Sequence, residues 1–261
     1  MFKLKDVPII FVHYPTGAGG WFLASLIWHA FDPREPFRFD ARGSGHDNQA
    51  IRNINNFYTE ILESKEGMQI IHDTDYDSFS YQERIDYLRD NLTATDYAPH
   101  THRIPQVISL HCCNVNLFLD AFPNSKCIQI TVEDSDWLEC TGNFLRKKVH
   151  TREKFNMFCT ELGIADLDIL WDKYQHLAEN IKDFQWAIDY IKSTAKNIEN
   201  KLEFDHRIFE ISYKDYMTDD IDNVLLSLLR FSEFETENKF LYDNLYTNML
   251  MYRGQQLEYT I

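Results

Sequence analysis

Apolar residues in this chain gather into short, nearly continuous runs: Val7 to His13, Met68 to His72, Gln106 to His111, Cys127 to Val132 and Ile208 to Tyr213. Strands with one wet face alternate apolar and polar positions, whereas strands covered on both faces by helices do not, so these runs predict buried strands. Between them, apolar positions recur at three- and four-residue steps, as at Ile51, Ile54, Tyr58, Ile61 and Leu62, which predicts helices. Parallel strands need a crossover between them, usually a helix, so the order strand, helix, strand predicts an α/β fold. The expected architecture is three-layer: a central, mostly parallel sheet of about five strands with helices on both faces. From about residue 134 to 203 the pattern is helical throughout and reads as an insertion, and a helical C-terminal tail follows over about 232–261. With no repeat and no Pro- or Ser-rich linker, residues 1–261 read as a single domain.

The first run leads into Tyr14-Pro15-Thr16-Gly17-Ala18-Gly19-Gly20-Trp21 and then into another apolar segment. A glycine-rich bend from a strand into a helix presents backbone N–H groups at the positive end of the helix dipole, a ready seat for phosphate or sulfate. The plainer alternative is a tight turn with no ligand. Its position favours the anion, because ligands in open α/β sheets sit beyond the carboxyl ends of the strands. The loop lacks the Gly-Lys-Ser/Thr ending of a nucleotide triphosphatase, and Phe22 stands where a dinucleotide fingerprint needs its third glycine.

Charge narrows the partners. A formal net charge of −15 excludes a phosphate-neutralising surface for nucleic acid, while leaving room for a small anion held by local amides. No apolar run reaches transmembrane length, so no membrane partner is expected, and the five cysteines fit reduced thiols. A soluble, cytoplasmic protein is the expectation, in which the sequon Asn91-Leu92-Thr93 stays unused.

The segment Pro15-Thr16-Gly17-Ala18-Gly19-Gly20-Trp21 resembles the first signature of the sulfotransferases that use 3′-phosphoadenosine 5′-phosphosulfate (PAPS), Pro-Lys-Ser-Gly-Thr-Thr-Trp. "VISLH" ahead of "LFLDAFPNSKCIQITV" is similar to that family's Lys-Thr-His strand end and the helix and strand behind it. "RIFEISYKDYM" followed by "TDDIDNVLLSLLRFSEFE" looks like its Tyr-Glu-Asp-Leu strand end and following helix. The resemblance implies a P-loop-like sheet, a PAPS co-substrate cradled by Thr16, Gly17, Ala18, Gly19, Gly20 and Trp21, and His111 as the base for a hydroxyl acceptor. It implies that Trp21 stacks on adenine. The family's loop lysine is replaced by Thr16, which puts a hydroxyl beside the transferred group. The family's 3′-phosphate arginine and serine give way to Glu133 and Thr141, so Arg146, with Arg253-Gly254, are further candidates for that phosphate.

Imidazole titrates near working pH, which suits His111 to accept the acceptor's proton. The alternative for it is a hydrogen-bonded core histidine, and His13 and His72 end strands in the same way. Asp73 to Ser78 starts like a calcium loop but lacks the central glycine, and His100, His102, Cys112 and Cys113 lack a second ligand pair, so no metal is expected. No Gly-x-Ser-x-Gly elbow supports a hydrolase. The functional expectation is sulfuryl transfer from PAPS to a hydroxyl. Two alternatives stand beside it: a nucleotide- or phosphate-binding or kinase-like protein on the same fold, and a catalytically inactive interaction protein.

Overall fold

The computed structural model describes residues 2–3, 8–15, 17–31, 79–91, 93–94, 106–111, 114–142, 205–233 and 239–258, with 152–153, 156, 185, 188–189 and 192. In chain order the elements are β1 (Phe2–Lys3), β2 (Ile9–Tyr14), α1 (Gly20–Phe31), α2 (Tyr81–Asn91), β3 (Thr93–Ala94), β4 (Gln106–His111), α3 (Val115–Ala121) and β5 (Ser125–Thr131). After a π-helical turn over Leu138–Gly142 come β6 (Ile208–Ser212), α4 (Tyr213–Thr218), α5 (Ile221–Phe231) and α6 (Lys239–Glu258).

Four strands form one all-parallel sheet in the order β4-β2-β5-β6. This is the α/β class the apolar runs predict, with four strands among the described residues where about five were expected; the run Met68 to His72 lies outside them. A separate two-stranded antiparallel piece, β1 with β3, escapes the sequence pattern because each strand is two residues long.

The continuous character of the first run has a direct cause. Side chains alternate along a strand, so Ile10, Val12 and Tyr14 of β2 enter one core while Ile9 and Phe11 enter another. The first core is covered by α1, α4, α5 and α6, through residues such as Phe22, Leu26, Tyr216, Leu228 and Leu245. The second is covered by α2 and α3, through Ile85, Leu88, Val115 and Phe118. Helices therefore lie on both sides of the sheet. Phe11 is fully buried with its ring edge-on to Phe118 at 5.5 Å, a burial that contributes about 1.5–3 kcal/mol.

Strand ends differ from the apolar runs for polar reasons. β5 begins two residues before Cys127, at Ser125, which is buried because its Oγ donates to Phe122 O. β6 stops at Ser212, whose Oγ accepts from the Asp215 N–H at 3.0 Å; this N-cap turns the chain into α4, so Tyr213 is the first helical residue. Over about 134–203 the described residues outside the π-helical turn and its approach, 152–153, 156, 185, 188–189 and 192, are helical. The tail is helical as α6.

Candidate functional site

The strand order decides where a ligand can sit. From β2 the chain crosses to β4 on one side, then back past β2 to β5 on the other. Connections thus diverge at β2, which makes its carboxyl end the topological switch point, the crevice where open α/β sheets bind ligands. The glycine loop leaves the sheet there.

Local sequence dictates the loop. The Ala18 N–H donates to Pro15 O at 3.1 Å, closing a turn, and Gly17 and Gly19 adopt φ of 92° and 76°. A side chain in that left-handed region costs about 1–2 kcal/mol, so both positions call for glycine. α1 then starts at Gly20, with its first turn closed by Leu23 N–H to Gly19 O at 3.1 Å. The amides of Gly19 and Gly20 precede that first intrahelical donor and sit at the positive end of the helix dipole.

Two tyrosines press on the loop. A Cβ built on Gly20 would lie 1.8 Å from Cδ1 of Tyr14, so the Tyr14 ring lies against the start of α1. A Cβ on Gly19 would lie 1.9 Å from the hydroxyl of Tyr252, which arrives from α6. The Tyr252 ring stacks on Phe22, with centroids 4.1 Å apart and planes within 3°. Tyr216 lies 6.2 Å from Tyr252, ring to ring. Burial pushes the hydroxyls of Tyr213, Tyr216 and Tyr252 well above the ordinary tyrosine range, so all three remain protonated donors. Buried at the same end of the domain, the Trp137 Nε1 and Tyr216 Oη make no hydrogen bond among the described residues.

The other expected site residues fall as follows. His111 is the last residue of β4 and pairs in register with Tyr14, so the strand carrying it ends level with the strand that enters the loop. Ala18 is fully buried, Gly17 is half-buried, and Trp21 is half-buried against the α1 side of the core. Thr141 is fully buried in the π-helical turn. Thr16, Arg146 and His72 lie outside the described residues. Glu133 is exposed just past β5.

Arg253 is engaged elsewhere. Its guanidinium donates to Tyr216 O from Nε at 3.0 Å and Nη2 at 2.6 Å, and Nη1 donates to Asp219 O. These are the carbonyls at the end of α4, so Arg253 acts as a cap on a helix C-terminus. Gly254 lies inside α6, exposed, with nothing within 4 Å of the position a Cβ would take, so no close contact requires glycine there. His13 is buried on β2, next to the buried Cys127, whose thiol burial pushes well above its ordinary value of 9.0, which removes it as a nucleophile. Among the described residues, no group of three or more His, Cys, Asp or Glu is gathered for a metal, and no helix is long and apolar enough to cross a membrane.

The tyrosines are what sequence reasoning missed. A Gly-Gly pair at a helix start signals that something approaches closely; at Gly20 that residue is the nearby Tyr14, but at Gly19 it is Tyr252, more than 200 positions away. No protein-family model matches the chain, and no curated protein matches it significantly.

Proposed function

We propose that the chain binds the anionic end of a nucleotide at residues 15–21 and acts as a sulfotransferase-like enzyme, moving a sulfuryl group from PAPS to a hydroxyl. One observation carries the reading: a loop with two glycines at positive φ opens α1 at the sheet's switch point. The loop amides receive the phosphosulfate there, and Thr16 adds a hydroxyl beside the transferred group. In register with Tyr14, His111 supplies the base from the neighbouring strand end.

The reaction balances without a metal or redox partner. The acceptor oxygen bonds to sulfur while the bond from sulfur to the 5′-phosphate oxygen breaks, and its electron pair leaves with the desulfated nucleotide PAP. The acceptor's proton passes to the His111 imidazole. Fixed amide dipoles stabilise charge on the equatorial oxygens, as in phosphoryl transfer.

A second reading, nucleotide or phosphate binding without transfer, is favoured by Arg253, a cation expected near the ligand that instead spends its donors on α4. Thermal shift with PAP, ATP and buffer, followed by a transfer assay, separates the two. A ligand at a hundred times its dissociation constant adds about 2.7 kcal/mol, which raises Tm by roughly 5–10 °C in a chain of this size. No shift with PAP refutes PAPS binding; a shift without transfer selects the second reading. His111→Ala is expected to abolish transfer and retain the PAP shift, and full turnover in that variant removes His111 from the mechanism.

A further inference from the structure

We infer that α6 is a plug on the glycine loop: Tyr252 occupies the space beside Gly19 that a bound anion needs, so ligand binding and α6 docking compete. The inference rests on the anion-binding reading of the loop and adds how that site is controlled.

Glycine in such a loop leaves out a Cβ so that a ligand can approach the backbone. At Gly19 the vacated volume is filled, because the Tyr252 Oη lies 1.9 Å from where that Cβ would be. Tyr252 is held in place by stacking flat on Phe22, in the first turn of the same helix whose amides form the cradle. The contact is buried, Tyr252 being 3% exposed. A phosphate or sulfate oxygen cannot reach the Gly19 backbone from that side while the hydroxyl is there.

The same residues define what moves. The next residue, Arg253, ties α6 to the last carbonyls of α4, and Leu241, Leu245 and Met249 anchor the rest of the helix in the core. Ligand entry therefore has to release the Arg253 tie and works on the turns of α6 beyond Met249, while its earlier turns stay docked. Withdrawal of Tyr252 also uncovers Tyr216, whose buried Oη makes no hydrogen bond among the described residues and becomes a donor for the incoming anion.

Two measurements on the full chain test this. In the first, Tyr252→Phe keeps the stack on Phe22 and deletes the oxygen against Gly19; calorimetric titration with PAP and with inorganic phosphate is expected to show roughly ten-fold tighter binding than wild type, equivalent to about 1.4 kcal/mol. The second follows hydrogen exchange of wild-type backbone amides over residues 249–258, expected to speed up at saturating PAP. Tighter binding together with faster exchange supports the plug. Binding by the variant that is equal to or weaker than wild type, or α6 exchange that slows or stays constant with ligand, overturns it and leaves the anion site standing. No binding of either probe by wild type or Tyr252→Phe overturns both the plug and the site.

Discussion

Replacing Arg253 with methionine keeps most of the side chain's apolar stem and removes its donors, so the change isolates the cap on α4. Three buried or partly buried carbonyls lose a donor: Tyr216 O, which accepts at 3.0 and 2.6 Å, Asp219 O, and, at a longer 3.5 Å, Asp215 O. A hydrogen bond to a charged group contributes about 1.5–3 kcal/mol, and a cation at a helix C-terminus adds about 0.3–1 kcal/mol. Against this stands the cost of burying the guanidinium, which is what holds the Arg253 pKa below its ordinary value. Asp219 is exposed, so water replaces part of what its carbonyl loses. The net expectation is a loss of about 3 kcal/mol, measured by urea unfolding with an unchanged m-value. Arg253→Lys recovers a minority of it, since a single ammonium cannot span these carbonyls as the planar fork does. A methionine variant within about 1 kcal/mol of wild type that also binds PAP more weakly would refute the reasoning, because Arg253 would then be a ligand contact and not a cap.

Gly20→Ala is expected to destabilise by about 1–3 kcal/mol, because its Cβ would meet the buried Tyr14 ring at 1.8 Å; this outweighs alanine's helix preference of about 1 kcal/mol, and a neutral or stabilising result in thermal denaturation would count against that packing. Asp205 is held below its ordinary 3.8 chiefly by hydrogen bonds from Arg207, the shortest 2.6 Å. Its folded pKa being depressed, the stabilisation is fully present above about pH 4 and fades as pH falls through the folded value. Asp205→Asn should therefore be less stable than wild type near pH 7, with the gap closing as pH falls through the folded value; a gap constant with pH in urea titrations excludes the ion pair as its source.

What the sequence made legible follows from whether the signal was local. Gln106 to His111 was found to the residue because an apolar run bounded by polar sequence coincides with β4. The helix start at Gly20 was readable from glycines that only a turn with positive φ requires, as Gly17 and Gly19 have. Polar strand ends were not: Ser125 looks like a loop residue until its hydroxyl has Phe122 O as partner. Arg253 shows the limit for charge, since phosphate and helix carbonyls attract a guanidinium alike and the choice is made by the fold. Tyr252 over Gly19 leaves no local trace, because a contact across most of the chain has no period and no motif.

The central place of β2 bears on how the protein is made. Apolar towards both faces, β2 is made before its partners β4 and β5, which follow about a hundred residues later. Loop closure over that distance must precede the pairing that rewards it, which makes folding slow and leaves an unpaired sticky strand waiting during synthesis. Nascent chains halted before Thr131 should therefore engage chaperones more than chains in which β5 has also emerged, so that the same burial on both faces that seats the glycine loop firmly makes β2 a vulnerable part of the newborn chain.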